Sequence, residues 1–312
     1  MIFSGLEMMG DVPFHDVVIH STVHAAGGGR MSKSLGTGMN PLAAIETYGA
    51  DATRYGLMKM ASSQDVRFSE GAIEEGRKLA NKLWNVARLI LQASEGAAPA
   101  ERPRTLEERW ILARLAQTQR EVERLLGEFD FSHMVDELYH LTFDDFCDWY
   151  AEAVKERLYE GDEDARATAV AALERLLKLL HPAMPHVTEE IWSNLPARES
   201  RLIVAPWPEA GDETEAGALT AVQEAAVMFR RSGVLPKLEG EERRIFVAVV
   251  KPAEGSGDGN AAAEIERLQK EISRAEGMLA NDRFTQNAPA DVVEAEREKL
   301  ARYRRELDAI SS

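Results

Sequence analysis

Cysteine is almost missing from this sequence: Cys147 is the one thiol among 312 residues. That excludes an internal disulfide and a zinc site built from several cysteines. Its neighbours Phe146 and Trp149 mark it as a buried thiol. Long apolar runs are missing too. No stretch approaches the ~20 residues of a membrane span, and the first residues lack the basic start, apolar core and cleavage site of a leader. The expected setting is therefore cytoplasmic, with no membrane partner. Positive charge is scarce: 37 Lys and Arg against 53 Asp and Glu leave a formal net charge of -16. Broad affinity for nucleic acid is thereby disfavoured, and any RNA contact must come from local basic patches. What the chain does have is 45% hydrophobic residues, enough to bury a sizeable core in two or three domains.

Three consecutive glycines lead into a short basic run. Gly27-Gly28-Gly29 runs into Arg30-Met31-Ser32-Lys33-Ser34, and Gly36 follows. A cationic loop between hinges without Cβ restriction suits phosphate, because a lysine ammonium and two hydroxyls can meet charge that develops on a pyrophosphate leaving group. A solvated turn is the common alternative for such a loop. Ahead of it, Val17 to Val23 is rich in β-branched residues and predicts a strand of a buried parallel sheet. One strand does not make a nucleotide fold, and residues before 24 leave no room for further β-α units.

Downstream the periodicity turns helical. Asn40-Pro41 predicts a cap and first turn, with Leu42, Ile45 and Tyr48 at helical spacing until Gly49. A second short helix over about 51 to 60 presents Tyr55, Leu57 and Met58 as core. Ser69 predicts an N-cap for a helix to about Ser94, in which Ile73, Leu79, Leu83, Val86, Ile90 and Leu91 face inward and Trp84 joins the core. A linker covers 95 to 104. Helices follow at about 105 to 127, 131 to 159, 163 to 181 and 185 to 195, and an antiparallel bundle is the economical reading. Asp144, Asp145 and Asp148 read as a solvated helix face in preference to a metal site. Residues 201 to 207 predict a short extended segment, 209 to 217 an acidic linker and 218 to 231 a helix. Ile245 to Val250 predicts a strand, and Lys251 to Asn260 a flexible tether. From Ala261, Ile265, Leu268, Ile272, Ala275 and Leu279 form a heptad seam, answered by Val293, Leu300, Tyr303, Leu307 and Ile310. An intramolecular antiparallel hairpin is favoured over a dimerising coiled coil.

Several stretches resemble one family. Arg30 to Ser34 resembles the KMSKS signature of class I aminoacyl-tRNA synthetases, with Arg at the first Lys. The flanks Leu35-Gly36, Asn40-Pro41-Leu42, Tyr48-Gly49-Ala50-Asp51-Ala52 and Arg54 follow the valine, isoleucine and leucine branch. Asn81-Lys82-Leu83-Trp84-Asn85, Phe143 to Tyr150 and His181 to Trp192 resemble further stretches of that branch, the first at the start of the anticodon-binding domain. Asn281-Asp282-Arg283-Phe284, Asn287 to Val293 and Glu296 to Leu300 resemble the C-terminal coiled-coil arm of the valyl enzymes. The second family signature, His-x-Gly-His, does not occur.

The resemblance implies a mainly α chain in four parts. These are a remnant of a Rossmann-type catalytic domain at 1 to 68, a helical anticodon-binding domain at 69 to 207, a shortened mixed α/β segment and linker at 208 to 260, and a coiled-coil tRNA-binding arm at 261 to 312. It implies Arg30, Met31, Ser32, Lys33 and Ser34 at the nucleotide, with Lys33 as the catalytic residue steadying the triphosphate. ATP with Mg2+, valine and tRNA(Val) are the implied cofactor and partners, with no zinc and a monomeric state. Candidate tRNA contacts are Asn81, Lys82 and Asn85 on the bundle and Lys270, Arg274, Arg297, Arg302, Arg304 and Arg305 on the arm. These arm residues are interleaved with Glu and also read as ordinary helix-face pairs. The implied function is that of the C-terminal portion of a valine–tRNA ligase, inactive alone. A free-standing tRNA-binding or scaffold module is the alternative.

Overall fold

The computed structural model describes residues 1–19, 22–25, 27–32, 38–61, 65–196, 198, 200–209 and 211–251. These belong to the first of two units, Met1–Val250, with Lys251 opening the second. Lys33, Ser34, the expected tether beyond Lys251 and the expected hairpin lie outside the described residues.

Helices dominate. The described elements are α1 (Ile2–Met9), β1 (Val23–His24), α2 (Pro41–Tyr48), α3 (Ala50–Lys59), β2 (Val66–Arg67), α4 (Glu70–Ala93) and α5 (Leu106–Gly127). Then come α6 (Phe131–Tyr139), a π-helical stretch (His140–Tyr150), α7 (Ala151–Glu160), α8 (Glu163–Leu180), α9 (Pro185–Ser193), a 3-10 turn (Leu202–Val204), α10 (Thr220–Ser232) and α11 (Gly240–Val250). Sequence caps start several of them. The Asn40 side chain accepts from Leu42 N–H at 3.1 Å with Pro41 in the first turn, and the Ser69 hydroxyl accepts from Ala72 N–H at 3.3 Å. Each satisfies a donor the helix itself cannot.

The core lies between α4, α5, α6, the π stretch, α7 and α8. Leu79, Leu83 and Ile90 of α4 meet Trp110, Ile111 and Leu115 of α5, Phe146 and Tyr150 of the π stretch, and Leu173, Leu176 and Leu177 of α8, all fully buried. At about 1.5–3 kcal/mol for each large apolar side chain removed from water, this cluster is the main source of stability. Cys147 is buried within it, and burial pushes its thiol pKa up to about 12.

The first helices are tied into this bundle. A Cβ at Gly56 would come within 2.6 Å of Ile73 Cγ1, and one at Gly76 within 2.8 Å of Tyr55 Cδ1. Glycine at both places lets α3 and α4 cross in near-backbone contact. Asp51 of α3 then reaches α9. Its carboxylate accepts from His186 N–H at 3.0 Å and Val187 N–H at 2.6 Å, supplying the cap that Met184, the residue at the α9 start, does not provide. Arg54 donates to Pro182 O at 3.0 Å beside it.

Several expectations are corrected. Ile245 to Val250 is the end of helix α11, not a strand. Its β-branched run favours a strand locally, but tertiary contacts override propensity. Ile245 and Phe246 are buried, Phe246 packs edge-on to Phe229 of α10, and Arg244 donates to the buried Glu107 at 2.6 Å. The regular structure described between 208 and 250 is therefore the two helices α10 and α11, with no strand among the described residues of that segment. The expected strand at 17 to 23 shrinks to Val23–His24, paired in parallel with Val66–Arg67. Val17, Val18 and Ile19 stay exposed and outside any ladder.

Residues 201 to 207 contain the 3-10 turn between extended flanks at Arg201 and Ala205. The acidic linker is stitched to α5, with Arg109 pairing with Glu215 at 2.9 Å and Arg120 with Glu213 at 2.5 Å. The single helix expected over 131 to 159 is interrupted by the π stretch, a form that rarely exceeds one turn. Trp84 and Leu57 are exposed rather than core. Asp145, read as solvated, is buried and paired with Arg114 at 2.8 Å. Burial raises its pKa, against the pull of the Arg114 guanidinium.

Candidate functional site

The glycine-rich loop starts from a fastened base. Asp65, just before β2, accepts from Thr22 N–H at 2.9 Å and lies 3.2 Å from His24 Nε2. The backbone donor, with His24 second, holds the Asp65 carboxyl below its usual range. β2 then locks the strand, with Val66 N–H donating to Thr22 O and Phe68 N–H to His24 O. After His24 the chain reverses. Gly28, at φ 88°, donates to Ala25 O at 2.7 Å, Ala25 N–H donates to Gly29 O, and Arg30 returns to bridge His24 antiparallel. The loop that carries Arg30, Met31 and Ser32 thus leaves a tight turn pinned on one side by a parallel strand. The guanidinium of Arg67 stands about 3.5 Å from where a Gly28 side chain would begin. A cation beside bare glycine backbone fits a phosphate. The residues present thus fit one wall of a nucleotide site.

The second candidate surface is the outer face of α4. Between Gly76 and Ser94 the sequence carries Arg77, Lys78, Lys82 and Arg88 and no carboxylate, in a chain of net charge -16. Lys78, Asn81, Trp84, Asn85, Arg88 and Gln92 recur three and four apart and are exposed on this face. Arg77 is drawn toward the helix start by Glu74, at 2.6 Å. Lys82 points elsewhere. Its ammonium pairs with Asp148 at 2.7 Å and sits 3.1 Å from the centre of the Phe143 ring, which itself stacks on Tyr139. Of the three bundle residues predicted to meet RNA, Asn81 and Asn85 are therefore exposed and Lys82 is engaged within the bundle.

Two grooves flank Arg88. One, about 310 Å³, is lined by Trp84, Arg88, Leu91, Gln92, Ile191 and Asn194. The other, about 410 Å³, includes Asn85, Arg88, Gln92, Tyr159 and Arg166. An exposed indole, a guanidinium and side-chain amides are the groups that stack on and hydrogen-bond unpaired nucleotides. The 40% exposure of Trp84 is what reading it as core missed, and the acid-free run from 76 to 94 was the available signal.

Comparison with known proteins adds three family matches in chain order. Residues 1–69 match tRNA synthetases class I (I, L, M and V), 108–238 the anticodon-binding domain of tRNA ligase, and 262–312 the valyl tRNA synthetase tRNA binding arm. The valine–tRNA ligase of Enterococcus faecalis is 36% identical over 99% of this chain and 43% of its own length. That of Geobacillus kaustophilus is 35% identical over 100% of this chain and 43% of its own.

The chain belongs to the valine–tRNA ligase family. It spans less than half the length of those curated relatives. The alignment with the Enterococcus ligase runs over 376 positions, more than this chain contains, so these relatives carry residues inside the aligned region that it lacks. A LeuRS–tRNA–LeuAMS ternary complex from Agrobacterium radiobacter K84 shares the fold, with a TM-score of 0.54 at 21% identity over 68% of this chain and 26% of that one. No described helix is long and apolar enough to cross a membrane, and the described residues hold no cluster of His, Cys, Asp and Glu suited to a metal.

Proposed function

We propose that the chain acts as the C-terminal part of a cytoplasmic, monomeric valine–tRNA ligase, contributing the basic loop of the ATP site and the surfaces that hold tRNA(Val). One observation carries this reading. Residues similar to the catalytic domain, the anticodon-binding domain and the valyl arm follow one another along a chain that is about one-third identical to valine–tRNA ligases throughout. ATP with Mg2+ supplies the activated phosphate in that reaction. Arg30, Met31, Ser32, Lys33 and Ser34 line the phosphates, and Lys33 steadies the charge that builds on pyrophosphate as the valine carboxylate attacks. The exposed face of α4, with Asn81, Asn85 and Arg88, meets the anticodon region. Lys82 sets the helix against the π stretch. Lys270, Arg274, Arg297, Arg302, Arg304 and Arg305 meet tRNA phosphates on the arm.

Binding of tRNA(Val) to the whole chain tests this. Affinity is expected to be modest and to fall steeply with salt, because local cations act against a negative whole-molecule field. Removing residues 261–312 should weaken binding to folded tRNA more than to an anticodon stem-loop. No binding at low salt would reject the reading, and equal losses for both RNAs would reject the placement of the arm. Valine-dependent exchange of pyrophosphate into ATP should be undetectable with the chain alone, since charge stabilisation requires the remaining walls of the site.

A further inference from the structure

An acidic segment crosses the bundle without a buried side chain of its own. From Ile203 to Ala218 no described residue is buried, whereas Leu202 and Leu219 on either side are. Between Arg201 and Arg230 the sequence has no Lys or Arg and carries Glu209, Asp212, Glu213 and Glu215 close together. This strap is held by polar groups of α5 and α8. Gln119 donates to Pro208 O at 2.7 Å, Arg175 to Glu209 O at 2.9 Å and Arg120 to Gly211 O at 3.1 Å. Arg120 pairs with Glu213 and Arg109 with Glu215; both pairs are open to solvent and therefore weakened by salt. Beneath the strap the charge is poorly met. Arg175 is 8% exposed, its one ion-pair partner among the described residues is Glu101 at 3.6 Å, and its Nε has no hydrogen-bond partner there. Burial draws its pKa down. Two grooves, of about 260 and 410 Å³, share Arg175 and Gly211 in their walls.

We propose that residues 208–215 form a displaceable strap that occupies Arg109, Arg120 and Arg175 in place of an RNA phosphate backbone, which takes over these arginines when the strap lifts. The inference rests on the family reading and adds to the face of α4 a second RNA surface that is masked. Three observations select this ligand. Arg109 and Arg120 are eleven residues apart, close to three helical turns, and so share one face of α5 about 16 Å apart. Arg175 stands between them, since a Cβ at Gly211 would lie 2.8 Å from its Nη1 and 3.3 Å from Ala116 Cβ. A single phosphate would meet one of the three cations, whereas a strand of phosphates meets the row. Guanidinium also pairs with phosphate as a two-pronged donor, more strongly than with the backbone carbonyls that Arg120 and Arg175 hold in the closed strap. Finally, all three arginines and the strap lie within residues 108–238, which match the anticodon-binding domain. The four carboxylates of the strap outnumber the three arginines, so the closed state turns negative charge toward RNA and opening reverses the sign.

The test measures tRNA(Val) binding to the full chain by fluorescence anisotropy over a salt series. Glu213→Gln with Glu215→Gln should tighten binding at least about fivefold at low salt and steepen the salt dependence by about two, one for each arginine released. Glu156→Gln with Glu160→Gln, exposed on α7, changes the net charge equally and should have little effect. Adding Arg109→Gln and Arg120→Gln to the strap variant should remove its gain. The strap carboxylates are not buried, so an unchanged circular dichroism melt confirms that the variants fold. Hydrogen exchange reads the strap without substitution: RNA should speed exchange at the amides of Thr214 and Ala216, which donate within the strap to Asp212 Oδ1 and Glu213 O. Equal affinity of the two carboxylate variants, a gain that survives loss of the arginines, or slower exchange on adding RNA would overturn the strap. Tighter binding of polyglutamate than of tRNA by the strap variant would assign the arginines to an acidic protein and overturn the RNA ligand. If the native chain binds tRNA and the strap variant binds no better, the strap inference fails and the family reading stands. Binding by the variant alone supports the strap and rejects tRNA binding by the native chain; binding by neither rejects both.

Discussion

Replacing Asp51 by alanine tests whether one carboxylate ties α3 to the start of α9. In α9 the first helical position is Pro185, which has no N–H, and the next two donors are His186 and Val187. Both donate to Asp51, at 3.0 and 2.6 Å, and Asp51 itself is buried. Loss of an N-cap costs about 0.5–2 kcal/mol, and each donor left dry about 1–3 kcal/mol. His186 is exposed enough for water to replace its bond, whereas Val187 is not fully open. A loss of roughly 2–4 kcal/mol follows for Asp51→Ala, and about half of that for Asp51→Asn, which keeps one acceptor. Urea unfolding followed by circular dichroism gives the size, and hydrogen exchange at the amides of His186 and Val187 gives the place. A shift under about 0.5 kcal/mol, as for an ordinary surface substitution, would refute the idea that the cap is structural. Equal effects for Ala and Asn would also do so.

Gly56→Ala should destabilise by about 1–3 kcal/mol through overpacking against Ile73. Gly71→Ala, with only Ser69 Oγ near at 3.4 Å, should be neutral or stabilising by up to about 1 kcal/mol; thermal melts of the two would expose an error if their order were reversed. Stability should fall as pH drops below about 6.5, the ordinary histidine value, because burial lowers the His181 pKa in the folded chain while the unfolded chain takes up the proton. The hydroxyl of Thr188 donates to Met184 O and so accepts from His181 Nδ1 at 2.8 Å, leaving Nε2 without a partner for an added proton. His181→Gln should flatten the dependence of Tm on pH between 7 and 5, and an unchanged slope would reject the assignment. Arg88→Gln should weaken tRNA binding and reduce the salt slope by about one, and wild-type values would remove α4 from the RNA surface.

What the sequence made legible was local. Asn40, Ser69, Gly49 and the two prolines near 182 and 185 carry their consequences within a few residues, so helix starts and stops fell close to the expected places. The bundle core followed for the same reason, since leucines at helical spacing face one way whatever they meet. Long-range pairings were not legible. Asp51 lies 135 residues from the amide of His186 that it caps, Asp145 is buried because Arg114 meets it from another helix, and α11 is helical because Glu107 and Phe229 receive it. Each depends on a partner that no spacing rule supplies. The exposure of Trp84 was hidden too, because helical phase places residues on faces without saying which face stays open. In the candidate sites, the acid-free run of α4 was readable, whereas the fastening of the glycine loop by Asp65 required the sheet.

The crossing of α3 and α4 also limits how this chain can be cut and moved. Domain recombination favours joints where few atoms meet, and a change of composition near residue 69 looks like such a joint. Gly56 against Ile73 and Gly76 against Tyr55 place backbone against side chain across that seam, with no space for a substitute surface. A gene fusion that began at Ser69 would expose Ile73 and leave α9 without its cap, whereas one that began at Asn40 would carry both with it. The smallest piece able to function in a foreign protein is therefore expected to start inside the segment that resembles the catalytic domain, and exchanges among related enzymes at the apparent boundary would be selected against.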